Sequence, residues 1–314
     1  QPSTQGSSGG MTIPDFFDQL ELPSRIEALR TELTSSQTRD FNGHARRVHT
    51  LDWNCDGAKL ASGSTDFVCK VWSVDETGIA KLAADLTGHT NSIDQLCWDV
   101  TSSDRLATAS SDATVRIWDA RACKAVACIK TPGENINITW SPDGAQIAVG
   151  NKLDQISFID VRKEKILHTY KANFEVNELS WNGTGELFFL ACGEGSIEVW
   201  RSHAWRATPE RYRVLHAQTT NVYSISFDKS GRYFAAGGAD AVVTLWDADD
   251  LICLRSLTKL DWPVRSLSFS HDSEMLAAAS EDSFIDVSHV SSGKQVYAIP
   301  THGAMTSVAW HPKR

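Results

Sequence analysis

Apolar and polar positions alternate along most of the chain in short runs, each bounded by glycine, aspartate, asparagine or proline. VHTLDW (48–53), IDQLCW (93–98) and VYSISF (222–227) show the two-residue period of a half-buried strand. A turn follows, often with Asp-Gly, as at Cys55-Asp56-Gly57 and Ser141-Pro142-Asp143-Gly144. Next comes a short strand of small residues: LASGS, LATAS, IAVG, FAAGG or LAAAS. A tight turn carrying Asp66, Asp112, Asp154, Asp240 or Asp282 then leads to a strand ending on tryptophan or a substitute, such as VCKVW, TVRIW, IEVW or VVTLW.

This plan recurs. The inner strands end on an aromatic ring at Trp53, Trp98, Trp140, Trp181, Phe227, Phe269 and Trp310, at intervals of 45, 42, 41, 46, 42 and 41 residues. That is the roughly 40–45-residue period of four-stranded propeller blades. Two positions before the aromatic stand Leu51, Leu96, Ile138, Leu179, Ile225, Leu267 and Val308. The next position holds mostly smaller residues: Asp52, Cys97, Thr139, Ser180, Ser226, Ser268 and Ala309. Such a large–small alternation suits blades that converge on an axis. The seven marks predict an all-β chain, a seven-bladed WD-repeat β-propeller over residues 36–314. The length falls short of seven full repeats, so blade seven is expected to be incomplete. MTSVAW (305–310) would be its inner strand and SQTRDF (36–41) its outermost, with two middle strands missing. An exposed strand edge of that kind predicts a truncated chain or a gap that a partner fills.

Residues 1–35 are expected to be a flexible tail and a short helix. Ser24 with Glu27 forms a capping box, and Ile26, Leu29 and Leu33 then share one helical face. Pro23 separates this helix from the short apolar piece DFFDQL (15–20). The helix is expected either to lie on the propeller flank or to dock a partner.

The composition is that of an ordinary globular protein, 41% hydrophobic and 22% charged. No apolar run approaches the ~18–20 residues needed to span a bilayer, and the N-terminus lacks the features of a secretory signal. A net charge of −9 argues against a protein that coats nucleic acid by itself. The seven cysteines show no metal-like spacing. Five of them (Cys69, Cys97, Cys128, Cys192 and Cys253) lie in apolar, strand-like runs, which predicts buried, reduced thiols and an intracellular protein. Two glycosylation sequons, at Asn137 and Asn182, then read as chance matches.

His44, Ser62, Asp66 and Trp72 recur one blade later as His89, Thr108, Asp112 and Trp118, and a reduced set appears as His216, Asp240 and Trp246. Serine, histidine and aspartate together suggest nucleophilic catalysis. Recurrence at one register in several blades points instead to a structural polar network, because an active site occurs once. Blades three, four and six lack most of the set and are expected to rely on apolar packing. No P-loop, nucleophile elbow, zinc-protease motif or metal-spaced Cys/His cluster is present, so neither an enzyme nor a cofactor is expected.

Several stretches closely resemble the THO complex subunit 3 (Tex1) family: IDQLCW (93–98), GENINITWSPDG (133–144), IAVGNK (147–152), FEVNELSWN (174–182), LDWPVRSLSFSHD (260–272), SEDSFIDV (280–287) and VAWHPKR (308–314). TRDF (38–41) is similar to that family's lead-in to the first blade. The likeness runs from about residue 38 to the end and includes loop residues that no propeller requires. Family members continue past the HPKR-like segment, and the first 35 residues match no pattern of the family. The resemblance implies a non-catalytic scaffold in the nucleus, a subunit of the THO part of TREX, which couples transcription to messenger RNA processing and export. Its implied partners are other THO subunits and, through them, an RNA helicase and an export adaptor. RNA contact would be indirect, and no membrane is involved.

Loops that match the family pattern supply the candidate partner-binding residues: Glu134, Asn135, Phe174, Glu175, Asp261, Trp262 and Arg265. Tryptophan and arginine are enriched at interface hot spots. The bland reading of Trp262 and Pro263 is that they shape the lead-in to blade six. Arg46 and Arg47 read as a solvated pair or as phosphate contacts. A competing function is a substrate receptor of a cullin-type ubiquitin ligase, suggested by Trp118-Asp119-Ala120-Arg121 with Asp160-Val161-Arg162 one blade later.

Overall fold

The computed structural model describes residues 13–202 and 210–314, with side chains from residue 23 onward. It divides into two units, residues 1–39 and 40–314. In the first, α1 (Ile13–Ser35) runs through Pro23 without a break. The capping-box signal at Ser24 therefore lies inside a helix that has already begun, and DFFDQL belongs to it. Proline removes one amide donor, a loss that a longer helix can absorb. Residues 1–10, expected to be a flexible tail, lie outside the described residues.

The second unit contains six four-stranded antiparallel sheets, each built from consecutive strands. They are β1–β4 (Val48–Leu86), β5–β8 (Ile93–Lys130), β9–β12 (Asn135–Lys171), β13–β16 (Val176–His216), β17–β20 (Val222–Leu257) and β21–β24 (Val264–Pro300). The innermost strand of each sheet packs beside that of the next, so the sheets stand as blades around an axis. The cores are apolar layers between blades. One joins Trp98, Leu106 and Trp118 of blade two to Val71 and Leu86 of blade one. Another joins Phe158 of blade three to Trp181, Phe188 and Trp200 of blade four.

The expected seventh blade is not there. The propeller is six-bladed, and residues 302–314 enter no sheet. The reason is physical: an aromatic mark counts inner segments rather than sheets, and one extended segment cannot make a ladder alone. Residues 305–310 instead lie between β21 (Val264–Phe269) and β1 (Val48–Trp53), held mainly by side chains, with one backbone bond from Met305 N to Ser280 O at 2.9 Å. Ser266 Oγ accepts from Val308 N at 3.1 Å, Ser268 Oγ from Trp310 N at 2.8 Å, and Ser307 Oγ from Leu51 N at 3.2 Å. Thr306 Oγ1 donates to Val48 O at 3.0 Å. Neighbouring blades use the same linkage: Thr50 Oγ1 accepts from Leu96 N, and Asp52 from Trp98 N. Beyond the segment, His311 packs edge-on against Trp53 and donates to Gly57 O at 3.0 Å. Gly57 turns at φ 77°, and a Cβ there would lie 2.5 Å from the His311 ring.

The inner strand carries a bulge near its start in every blade, so the pairing skips His49, Asp94, Ile136, Asn177, Tyr223 and Arg265. A bulge bends the strand and re-aims the side chain it leaves unpaired. Arg265 is thereby placed on the exposed rim.

The cysteines are free thiols, but Cys128 and Cys253 are exposed rather than buried. Both lie on outermost strands, β8 (Lys124–Lys130) and β20 (Ile252–Leu257), where alternate side chains have no further blade to cover them. Cys69 and Cys192 are buried on inner layers, and burial raises both thiol pKa values.

Candidate functional site

In blade two the polar set forms a continuous chain of hydrogen bonds. Trp118 Nε1 donates to Thr108 Oγ1 at 2.9 Å, and Thr108 Oγ1 meets His89 Nε2 at 2.7 Å. His89 Nδ1 lies 2.8 Å from Asp112 Oδ2. Burial lowers the His89 pKa, which favours the neutral ring. With the proton on Nδ1, every donor in the chain then faces an acceptor. Burial disfavours the Asp112 carboxylate, but hydrogen bonds from Thr114, Thr90 N and His89 outweigh it and hold the pKa below its usual value. Blade one repeats the chain: Trp72 to Ser62 at 2.9 Å, Ser62 to His44 at 2.8 Å, and His44 to Asp66 at 2.9 Å.

Each chain joins four parts of its blade. Tryptophan comes from the third strand, the hydroxyl from the second, and aspartate from the turn between them. Histidine comes from the loop that leads into the inner strand. Asp66 also accepts from Ala45 N, and Asp112 from Thr90 N. Thr108 is fully buried and its oxygen already serves both neighbours, so no substrate can reach it as a nucleophile. Each chain lies within a single blade.

Blade five is arranged differently from the sequence expectation. His216 is exposed on β16 (Glu210–His216), where it pairs with Ser196 in blade four. Gln218, two residues on, takes the inward place, and its Nε2 donates to Ala236 O at 3.0 Å and Val242 O at 2.9 Å. Asp240 accepts from Thr219 N, while Trp246 Nε1 donates to Thr244 Oγ1 at 2.9 Å. Histidine thus ends the outermost strand of blade four, two residues before the place that Gln218 fills. In blade four, Trp200 Nε1 donates to Glu198 at 2.8 Å, and Arg211 reaches the same carboxylate at 3.1 Å. Sequence reasoning missed that pair because its acid sits two residues before tryptophan, not in the turn.

The candidate partner-binding residues lie on loops joining an outermost strand to the next inner strand, or, for Asn135 and Arg265, at the start of that inner strand, and these places share one face of the ring. Glu134 is exposed and accepts from Lys152 Nζ at 2.5 Å. Asn135 is fully buried: its Nδ2 donates to Ser110 O and Thr114 O of blade two, so it ties blades together and cannot meet a partner. Phe174 is half-buried against the core of blades three and four, and Glu175 beside it is exposed. Asp282 accepts from the amides of Asp261 and Trp262 at 3.2 and 3.3 Å, which fixes that loop while the Trp262 side chain stands 56% exposed. Arg265 donates to Glu281 at 2.9 Å and lies over the Tyr223 ring at 4.6 Å.

The inner strands enclose an axial cavity of about 270 Å³. Thr50, Gln95, Glu178, Ser224, Ser266 and Ser307 form a polar belt around it. Gln95 Nε2 donates to Glu178 at 3.0 Å. Burial pushes the Glu178 carboxyl up to about 7 and that of Asp52 to about 6. Among the described residues no group of three or more His, Cys, Asp or Glu side chains is placed to hold a metal. The two carboxylates face the axis from different blades, a relationship visible in sequence only as polar side chains at channel positions. Elsewhere, Asp119 Oδ1 accepts from Arg121 N and Ala122 N, and Asp160 from Lys163 N, so these acids close their own turns.

The THOC3 β-propeller domain matches residues 44–314. The chain is 48% identical to THO complex subunit 3 of Arabidopsis thaliana over 289 residues, 92% of this chain and 90% of that protein. It is 33% identical to the WD repeat-containing protein AAC3 of Dictyostelium discoideum, over 93% of this chain and 64% of the other. A WD repeat-containing protein 26 homolog of Arabidopsis thaliana is 25% identical, over half of its own length. With its domain matched almost throughout and a full-length relative at that identity, the chain belongs to the THO complex subunit 3 family of β-propellers.

Proposed function

We propose that this propeller is a non-catalytic scaffold subunit of the THO part of TREX, acting in the nucleus where transcription is coupled to messenger RNA processing and export. Its direct partners are other THO subunits, which bring an RNA helicase and an export adaptor, and contact with RNA is made chiefly by them. The observation that carries this reading is the 48% identity to a THO complex subunit 3 over nearly the whole of both chains. The net charge of −9 agrees with indirect rather than direct RNA contact.

The docking residues are best sought on the loop of Asp261, Trp262 and Arg265. An exposed indole on a loop already fixed by Asp282 costs little further ordering on binding. Trp262→Ala combined with Arg265→Ala is expected to weaken co-purification with THO subunits while leaving the thermal melt unchanged. Undiminished recovery of those subunits with a normal melt would reject this loop. Recovery of no THO subunit by the unaltered chain would reject the functional reading itself.

A further inference from the structure

On the face opposite those loops, the inner strands end in an open mouth of about 560 Å³. That volume lies within the ~300–1,000 Å³ typical of ligand pockets. Its wall is an aromatic collar of Trp140, Trp181, Phe227, Phe269 and Trp310, with Val100 at 53% exposure on the rim. The basic side chains lining it are Lys229 and His271, the Cys55 thiol lies there too, and no carboxylate does so. The acids on the same two loops are engaged in their own turns. Asp228 accepts from Ser230 and Tyr233 N, and Asp272 from Ser270 and Glu274 N.

Trp53 and Trp98 donate their indole N–H groups to Ala309 O and Asp52 O. The indole N–H of Trp140 meets no acceptor among the described residues, but it is buried and out of reach of an occupant. Lys229 Nζ reaches Pro312 O at 3.1 Å, an exposed hydrogen bond that is readily exchanged for one to a carboxylate.

We propose that this mouth docks a short peptide segment of another protein in which an apolar side chain stands beside a carboxylate. The apolar side chain fills the collar and Lys229 takes the acid. A chain of net charge −9 that presents a lysine and a histidine, without an acid, around an apolar opening is complementary to that segment. The proposal deepens the scaffold reading and rests on it, since a second docking face lets one ring hold two partners.

The test uses the full chain and random peptides displayed on phage. Enriched peptides are expected to share an apolar residue next to Asp or Glu. A labelled peptide of that consensus should lose affinity at least about tenfold on Val100→Glu, which puts a charge on the rim without disturbing the core. It should lose several-fold on Lys229→Glu, with part of the loss recovered when its acid is replaced by lysine. Trp262→Ala should leave it unchanged. Four results overturn the proposal: no enrichment, enrichment without an acidic position, binding indifferent to Val100→Glu, or binding lost on Trp262→Ala. None of these touches the scaffold reading, whose own test lies on the other face.

Discussion

The hydroxyl of Ser307 accepts the amide hydrogen of Leu51 at 3.2 Å, joining residues 256 positions apart. Together with Ser266 and Ser268 on the other side, it makes a segment that belongs to no sheet into the clasp of the ring. A six-bladed ring closed in this way depends on side-chain hydrogen bonds where blades depend on ladders.

Removing a clasp hydroxyl leaves a partly buried amide without its acceptor. Ser307→Ala and Ser268→Ala are each expected to lower the unfolding free energy by about 1 kcal/mol. Deleting residues 305–314 should cost far more and broaden the transition, because β1 and β21 lose their neighbour. Urea unfolding followed by tryptophan fluorescence measures both. Equal stability of the deleted chain would show that the segment is not a clasp.

The hydrogen-bond chain of blade two makes a sharper demand. His89→Ala removes the group between Thr108 and Asp112, leaving a buried hydroxyl and a carboxylate with fewer partners. A loss of about 2–4 kcal/mol is expected. His89→Gln, which keeps an acceptor near Thr108, should recover part of it. Chemical denaturation of the three proteins decides the matter.

Blade five offers a paired comparison. Gln218→Ala takes a donor from two partly buried carbonyls and should cost about 1–2 kcal/mol. His216→Ala, at an exposed position on β16, should fall within about 0.5 kcal/mol of the unaltered protein. The reverse order of midpoints would restore histidine to the network.

The axial carboxyls predict a pH dependence of definite sign. Glu178 has a folded pKa of about 7 against an ordinary 4.5, and burial is the cause. The folded state therefore holds its proton more tightly than the unfolded chain does. Stability from this group is fully present below about pH 4.5 and is lost as pH rises through 7. Asp52 acts in the same direction, with a folded value of about 6, and the Cys97 thiol beside them is raised by burial. Glu178→Gln removes the penalty and keeps an acceptor for Gln95. It should be the more stable protein at pH 8, by about 1 kcal/mol or more, with the gap closing toward pH 4.5. A gap that does not change with pH, read from melting curves, would contradict this.

Much of the architecture was legible along the chain because propeller blades are local. The Trp, hydroxyl, histidine and aspartate of blades one and two lie within 30 residues of one another, so their spacing alone suggests a common purpose. Inner-strand positions such as Leu51 and Asp52 also declare themselves, since a two-residue period separates them. Asn135 could not be read this way. It opens the inner strand directly after the loop that holds Glu134, yet its amide turns into blade two, and only the packing of adjacent blades reveals that. Cys128 and Cys253 misled for the converse reason: an apolar run on an outermost strand looks like one on a middle strand.

By itself the sequence determined the repeating unit, its strands and turns, and the family, because these follow from periodicity and from residue patterns within single blades. The tertiary structure alone decided how many blades form, how the ring closes, and which polar groups from distant blades meet on the axis. Those outcomes turn on hydrogen bonds such as Leu51 to Ser307 and Gln95 to Glu178, whose partners come together only when the sheets have circled the axis.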